Sequence, residues 1–259
     1  MSEKVIAVIP ARMGAKRLPG KPMADILGMP MIGHVYHRAK MSLDFIEVFV
    51  ATCDKEIADY VRSIGGEVIM TSRDHMRSTD RVAEAVRYIE DDYDLQPDIV
   101  VMVQGDEPLV TDQMVSNSIS PLIIDPGVEV VSLMTEITDQ DEINDSNSVK
   151  VVVDNNNFAL YMSRSPIPYQ KRGIEGLPVL KKVNVVAMRR DFLMHFSALP
   201  ASTLELVESI GMLRLLECGI NVKMVLSETY SVSVDTEKDL NIVRDLMKDD
   251  FWMGKYNQQ

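Results

Sequence analysis

The sequence predicts an α/β fold in which a mostly parallel central sheet is flanked by helices. Continuous apolar runs, each typical of a strand that is buried on both faces, recur along the first half of the chain. Segments with helical periodicity separate these runs, and such an alternation is typical of parallel sheets. Farther along the chain the pattern changes to a hairpin signal. We therefore expect an inserted β-rich lobe at about 128–190.

The first half of the chain contains the predicted parallel sheet. Its first strand, 5–9, is ended by a proline, and a long loop rich in basic residues follows. Pro30 can begin a helix, and Asp54 and Thr111 are candidate N-caps of two others. Ser78 stands at the start of a further segment with a helical apolar stripe. Three more apolar runs predict strands at 48–51, 68–70 and 99–103.

The second half predicts a hairpin followed by further strands and helices. Two apolar stretches flank the sequence Asp154-Asn-Asn-Asn157, which is typical of a tight turn. An amphipathic helix is predicted over about 203–217, with Gly219 as its stop. Strands at 183–188 and 222–226 and a closing helix at 237–247 complete the pattern. No repeat or linker divides the chain, so we expect one domain over 1–259 that contains the inserted lobe.

Composition and charge exclude several classes of function. The 27 Lys and Arg against 39 Asp and Glu give a net charge of −12 at pH 7, which argues against nucleic acid as a partner. No apolar run is long enough to span a membrane, and the first residues lack a signal-peptide cleavage pattern. Cys53 and Cys218 cannot supply a zinc quartet or a disulfide framework. We expect a cytoplasmic protein that binds neither nucleic acid nor membranes.

The first candidate site segment is the loop that follows the first strand, from Pro10 to Pro22. In open α/β sheets, ligands bind beyond the carboxyl ends of the strands. Small residues here let backbone N–H groups approach an anion, and nearby cations would neutralise a triphosphate. The small residues are Ala11, Gly14 and Ala15, and the cations are Arg12, Lys16, Arg17 and Lys21. The spacing matches neither the P-loop nor the Rossmann glycine fingerprint. A basic turn exposed to solvent is the alternative.

Two acidic residues are candidate metal ligands. Asp106 follows a buried strand within Gln104-Gly-Asp-Glu-Pro108, where a carboxylate can hold Mg²⁺ at the sheet edge. The alternative is a turn carboxylate or a helix-entry cap. Asp235 precedes the closing helix, so it is either the N-cap of that helix or a second carboxylate that meets Asp106 across the metal.

Together these segments resemble the sugar-acid cytidylyltransferases, and among them most closely those that act on 3-deoxy-manno-octulosonate (Kdo). Six motifs occur in the family's order, at 10–22, 75–81, 103–109, 159–168, 204–214 and 234–240, so that the resemblance extends over nearly the whole chain. The resemblance implies a nucleotidyltransferase fold with a dimerisation lobe, and therefore a homodimer. It also implies a reaction in which CTP and an acidic sugar give a CMP-sugar acid and diphosphate, with Mg²⁺ as cofactor.

The resemblance also implies roles for individual residues. Arg12 and Lys21 would hold the triphosphate and, with Asp106, form the catalytic set. The metal ligands would be Asp106 and Asp235. The remaining nucleotide contacts would come from Ala11, Ser78, Arg81, Gln104 and Gly105. The acceptor contacts would come from Gln104, Arg164, Lys182 and Glu205.

Departures from the family pattern concentrate on the acceptor side. Lys182 stands where the family has a histidine that faces the sugar, and Gly211-Met212 stands where it has Glu-Gln. The segment Arg77-Ser-Thr-Asp-Arg81 lacks the family's glycine. Kdo is therefore the leading acceptor, while a related ulosonic acid or a smaller anionic acceptor such as a phosphonate stays open, since a lysine suits an acceptor with more negative charge.

Two hypotheses compete with cytidylyl transfer to an acidic acceptor. One is a sugar-1-phosphate nucleotidyltransferase of the same fold that uses another base. The second is a nucleotide-binding regulator without activity, which the presence of both the cations and the two carboxylates disfavours.

Overall fold

The computed structural model describes residues 3–15, 17–169 and 177–256. The strands in this part of the chain are β1 (Val5–Ala11), β2 (Asp25–Ile26), β3 (Met29–Pro30), β4 (Glu47–Thr52), β5 (Glu67–Met70), β6 (Ile99–Val103), β7 (Val130–Glu136), β8 (Lys150–Val153), β9 (Ala159–Ser163), β10 (Leu180–Arg189) and β11 (Lys223–Leu226). The loop residue Lys16 lies outside the described residues.

The helices connect these strands and cover the sheet. They are α1 (Met31–Lys40), α2 (Lys55–Ser63), α3 (Ser78–Asp92), α4 (Asp112–Ile124), α5 (Gln140–Asn144), α6 (Arg190–Ala198), α7 (Thr203–Glu208), α8 (Met212–Glu217), α9 (Glu237–Met247) and α10 (Phe251–Tyr256), with a short 3₁₀ helix at Lys21–Met23. Among the helices of the described residues, none is long and apolar enough to span a membrane.

The central sheet confirms the predicted fold class. Its strand order is β11-β7-β10-β6-β1-β4-β5. The pairs β1–β4, β1–β6, β4–β5 and β11–β7 are parallel, whereas β10 runs antiparallel to both of its neighbours in this order. The sheet is therefore mixed but mostly parallel, as the alternation of strands and helices predicts.

Alternating side chains of β1 pack against helices on opposite faces of the sheet. Ala7 and Ile9 belong to one core cluster, with residues of α1, α2 and α4. Ile6 and Val8 belong to the other, with residues of α3, α6 and α8. Every residue of β1 is buried, and this two-sided burial explains the continuous apolar run that predicts the strand.

In the structure, the part that lies off the main sheet comprises fewer residues than the lobe predicted at about 128–190. The outer strands of the predicted lobe, β7 and β10, pair with each other within the central sheet, and β10 also pairs with β6. The hairpin β8–β9 lies off the main strand order, with Val151 paired to Met162 across it. The turn Asp154-Asn-Asn-Asn157 joins these two strands, as the sequence predicts. The role of this lobe in dimerisation stays a prediction.

The helix predicted over about 203–217 is divided into two. Ser209 follows α7 with a φ of +54°, in the left-handed region, and the chain turns there before α8 begins. The resulting corner between α7 and α8 carries Glu205 and Gly211 to the cleft described below. The periodicity of the apolar residues continues through the corner, which is why the sequence predicts one helix.

Candidate active site

A cleft of about 1170 Å³ opens at the carboxyl ends of β1 and β6. Its walls are the loop after β1, the turn after β6, the start of α3 and the α7–α8 corner. Ten of the site residues predicted from the sequence line it, namely Ala11, Arg12, Lys21, Ser78, Arg81, Gln104, Gly105, Asp106, Glu205 and Asp235. The topology brings these residues together because parallel strands present their carboxyl ends at one edge of the sheet.

The loop after β1 is held in place at both ends. Near its start, the amide of Met13 donates to the Asp54 carboxylate, which follows β4, at 2.8 Å. Asp54 occupies the N-cap position of α2, but its carboxylate caps the loop amide and not the helix. Near the end of the loop, Gly20 has a φ of +72°, which favours glycine, and it turns the chain into the 3₁₀ helix that presents Lys21.

Lys21 bridges the two candidate metal carboxylates. Its Nζ lies 2.6 Å from Asp106 Oδ2 and 3.0 Å from Asp235 Oδ1, and Arg17 Nη2 lies 2.9 Å from the same Asp235 oxygen. Burial lowers the pKa of Lys21, but the charges of the two carboxylates outweigh it, and the pKa is raised above its ordinary value. Lys21 therefore stays positively charged at neutral pH.

Neither carboxylate caps a helix. Thr236 is the N-cap of α9, and it forms a capping box with Asp239. Thr111 caps α4, since its side chain accepts from the amide of Met114. The capping interpretations of Asp235 and Asp106 are thus wrong, and both carboxylates face the cleft. An exposed basic turn does not describe Lys21 either, because its side chain is only 13% exposed.

The carboxylate pair has the chemistry of a magnesium site. Asp106 Oδ1 is buried and has no hydrogen-bond partner among the described residues, so this oxygen could accept a metal ion. Within the described residues, no cluster of three or more His, Cys, Asp or Glu side chains is arranged to hold a metal. Mg²⁺ typically takes one or two protein carboxylates and completes its shell with phosphate oxygens and water. Asp106 and Asp235 fit that description.

Gln104 connects the turn after β6 to the start of α3. Its Nε2 donates to Ser78 Oγ at 2.8 Å. Arg81, one helical turn beyond Ser78, is 3% exposed and donates to Thr71 and to the carbonyl of Ser72. Arg81 Nη2 is buried and has no hydrogen-bond partner in the described part of the chain. This wall of the cleft therefore contains a buried donor whose hydrogen bond is not made within that part.

Glu205 and Arg164 are occupied by contacts within the protein. Glu205 Oε2 lies 3.0 Å from Nε of the buried Arg214, so Glu205 is a buried carboxylate with a charged partner. Arg164 donates to the carbonyls of Ser146, Glu208 and Ser209. It is absent from the described residues that line the cleft, and it contacts the end of α7 and Ser209. The contact of Arg164 with the acceptor stays a prediction.

Lys182 lines a smaller cavity of about 70 Å³ beside the cleft, and Asp235 lines both. Lys182 Nζ donates to Asn184 Oδ1 at 2.7 Å. Burial lowers the pKa of Lys182 to about 8, although the negative charges of Glu107 and Asp106 act in the opposite direction. Below that pH the side chain is an ammonium, and Asn184, which accepts its hydrogen bond, leaves that charge unneutralised.

Sequence reasoning missed two residues of this region. Arg77 lines the cleft, and its Nε donates to Asp80 at 2.7 Å. Its Nη1 lies 3.9 Å from Glu205 Oε1 and is buried with no hydrogen-bond partner in the residues that the structure describes. Glu107 is fully buried beside Asp106. Arg77 could have been predicted from its position, because it is a basic residue directly before the start of α3. Nothing in the local pattern indicates that the side chain of Glu107 turns inward.

A basic loop and paired carboxylates at the carboxyl edge of a mostly parallel α/β sheet define a nucleotidyltransferase. The family model for cytidylyltransferases matches residues 6–227. The chain therefore belongs to the cytidylyltransferase family, and the resemblance drawn from its motifs is confirmed.

Relatives and a solved structure resemble the chain over nearly its whole length. It is 41% identical over 255 residues to the 3-deoxy-manno-octulosonate cytidylyltransferase of Trichlorobacter lovleyi. The alignment covers 95% of this chain and 99% of the relative. It is 42% identical to the 8-amino-3,8-dideoxy-manno-octulosonate cytidylyltransferase of Shewanella baltica, over 91% of this chain and 95% of the relative. A CMP:2-keto-3-deoxy-manno-octonic acid synthetase solved with CTP matches with a TM-score of 0.84 and 42% identity, over 94% and 98% of the chains.

Proposed function

We propose that this enzyme transfers CMP from CTP to the anomeric hydroxyl of a 3-deoxy-ulosonic acid and releases diphosphate. Kdo is the leading acceptor. The names of the relatives, and the CTP complex of a structure that is 42% identical, support this assignment. The observation that carries it is Lys21 held between Asp106 and Asp235 at the floor of the cleft. This arrangement places a cation for the phosphates and two carboxylates for a metal ion where a triphosphate would react.

In the proposed reaction, the anomeric oxygen of the acceptor bonds to the α-phosphorus of CTP. The bond from that phosphorus to the oxygen shared with the β-phosphate breaks, diphosphate leaves, and the hydroxyl proton is released. Negative charge accumulates on the leaving group, and Lys21 and Arg12 stabilise it. Gln104 and Ser78, joined by their hydrogen bond, position the nucleotide on the opposite wall.

Asp106 and Asp235 would hold Mg²⁺. When bound, the ion neutralises phosphate charge and orients the oxygens of the reacting phosphate. Lys21, whose flexible stem carries a compact charge beside these carboxylates, would stabilise the phosphates from this position.

The acceptor side favours an acidic ligand. Arg77 Nη1 makes no hydrogen bond within the described residues, although Glu205 Oε1 lies 3.9 Å from it, and Lys182 offers an ammonium hydrogen-bonded to the neutral Asn184. The carboxylate of an ulosonic acid forms strong charge-assisted hydrogen bonds with such groups. The ammonium of Lys182 is also the observation that favours the second candidate, an anionic acceptor with more negative charge, such as a phosphonate.

The test is diphosphate release with each of the four nucleoside triphosphates, in the presence of Mg²⁺ and a panel of acceptors. The panel contains Kdo, 8-amino-Kdo, a nonulosonic acid and small phosphonates. We expect turnover with CTP and an ulosonic acid. Turnover with UTP or GTP but not with CTP would favour a sugar-1-phosphate nucleotidyltransferase. CTP binding without turnover, unaffected by Asp106→Asn, would favour the inactive regulator.

We also propose that the enzyme is a cytoplasmic homodimer. Leu160 on β9 and Leu206 and Val207 on α7 are large apolar side chains left exposed to solvent. Cys53 and Cys218 are both free thiols, which fits a reducing compartment. Light scattering after size exclusion tests the dimer, and a mass of one chain would contradict it.

A further inference from the structure

The carboxylate of Glu107 is buried completely, directly beside the candidate metal ligand Asp106. It accepts hydrogen bonds from Ser231 Oγ at 2.8 Å, from Ser233 Oγ, and from the amide of Asn184 at 3.2 Å. Its donors thus come from β10 and from the segment that ends at Asp235. A single side chain of the turn after β6 connects these two parts of the chain.

The segment 231–235 has no regular secondary structure in the described chain, so it depends on such contacts for its path. Glu107 binds the side chains of Ser231 and Ser233, and the amide of Val234 donates to the carbonyl of Asp106 at 2.9 Å. Three of the four residues before Asp235 are therefore tied to the turn that carries Asp106.

The contacts continue into β10. Asn184 Nδ2 donates to Ser233 Oγ at 3.1 Å, and Lys182 Nζ donates to Asn184 Oδ1. Lys181 Nζ donates to the carbonyl of Ser231 at 3.0 Å. Burial of a carboxylate is costly unless its oxygens are hydrogen-bonded. Both oxygens of Glu107 accept hydrogen bonds. Those from Ser231 and Ser233 also hold the backbone that leads to Asp235.

We propose that Glu107 is a positioning residue that places Asp235 opposite Asp106 for binding of the divalent ion. The inference rests on the proposed function, because it assumes that these two carboxylates bind the metal. It requires no contact of Glu107 with substrate or metal. Its effect passes through the serine hydroxyls to the backbone before Asp235, as outer contacts orient the direct ligands in other metal sites.

The experiment measures metal affinity without turnover. Mn²⁺ is titrated by electron paramagnetic resonance into CTP with protein in excess and no acceptor, and the result is compared with CTP alone. In Glu107→Leu, which fills the space but makes no hydrogen bond, we expect the affinity to fall about tenfold or more. In Glu107→Gln, which keeps the shape and the acceptor at Oε1, the affinity stays close to that of the unmodified protein.

The double variant Ser231→Ala with Ser233→Ala removes the two hydroxyl donors and leaves Glu107 and the Asn184 amide in place, so it replaces Glu107→Leu if that variant does not fold. We expect it to weaken Mn²⁺ binding in the same direction. Glu90→Leu is the matched control, because Glu90 is a mostly buried carboxylate paired with Arg190 at 2.6 Å, away from the cleft. It lowers the melting temperature but leaves Mn²⁺ affinity unchanged.

The results of these titrations separate the positioning role from the proposed function. Unchanged Mn²⁺ affinity in Glu107→Leu or in the serine variant overturns the positioning role, while diphosphate release by the unmodified enzyme leaves the function intact. A glutamine variant as weak as the leucine variant also overturns it, because charge and not hydrogen bonding would then carry the effect. If the unmodified protein adds no Mn²⁺ binding to that of CTP, the metal assignment fails, and the positioning role fails with it.

Discussion

The amide of Val234 donates a hydrogen bond to the carbonyl of Asp106 at 2.9 Å. Asp106 and Asp235, although distant in sequence, are therefore connected through the main chain as well as through Lys21. This connection makes the carboxylate pair a fixed part of the fold, and it allows the side chains around it to be tested one at a time.

Lys21→Ala should abolish most of the turnover and leave the protein folded. The ammonium neutralises two carboxylates and stands where the triphosphate would bind, and removal of one such stabilising group typically costs about 100- to 1,000-fold in rate. Diphosphate release with CTP measures the loss, and thermal melting verifies folding. Lys55→Ala is the control, because Lys55 is an exposed helix lysine that forms a salt bridge with Asp59, outside the cleft. Equal rates in the two variants would remove Lys21 from the mechanism.

Asp235→Asn should raise the Mg²⁺ concentration needed for half-maximal activity by about tenfold, with little change in melting temperature, because a ligand carboxylate is lost. Thr236→Ala is the matched variant at the neighbouring position. It removes the N-cap of α9 and should cost about 1 kcal/mol of stability, with the Mg²⁺ requirement unchanged. A reversed result, with the metal requirement moved only by Thr236→Ala, would assign Asp235 a structural role.

The apolar strands in the first half of the chain and much of the cleft can be predicted from the sequence, for a physical reason. β1, β4 and β6 are buried on both faces, so they require continuous apolar residues that are visible in the sequence. The residues that follow β1 and β6 must then lie at one edge of the sheet. Asp106 and Lys21 lie near each other for that reason, whereas the ion pair between them is not predicted from the sequence.

The contacts within the acceptor side could not be predicted, because they depend on distant parts of the chain. Ser209 takes a left-handed conformation that no pattern of apolar residues indicates. Glu107 looks like a second surface carboxylate beside Asp106, and only the serines of a remote segment explain its burial. Arg164 has a family role that its motif implies, but the backbone carbonyls around it occupy its guanidinium.

Gly105→Ala should reduce both stability and turnover. A Cβ at this position would lie 3.0 Å from the carbonyl oxygen of Pro10 and 3.4 Å from Ala11 Cβ. The turn after β6 would have to move away from β1 and carry Asp106 with it, at a cost of about 1–3 kcal/mol. Gly254→Ala in α10 is the control, since a Cβ there has open space around it. Equal melting temperatures and rates for the two variants would show that the β1–β6 contact tolerates a side chain.

Binding of the acceptor should weaken as the pH rises through about 8. Burial lowers the pKa of Lys182 to about 8, against the charges of Glu107 and Asp106, so the ammonium is present below that pH and is lost above it. The carboxylate of an ulosonic acid stays ionised throughout. One pH unit above its pKa, about a tenth of the lysine is protonated, and we expect KM for the acceptor to rise up to about tenfold between pH 7 and 9, with KM for CTP nearly constant.

Lys182→Arg separates this effect from other titrations in the cleft. Arginine keeps its charge at every pH in this range, so KM for the acceptor should be independent of pH in that variant. Lys182→Ala should give a KM that is high and equally independent of pH, because no charge is present to lose. If the unmodified enzyme and Lys182→Arg show the same rise between pH 7 and 9, another group is titrating. The ammonium of Lys182 would then have no part in acceptor recognition, and the small cavity beside Asp235 would not belong to the acceptor site.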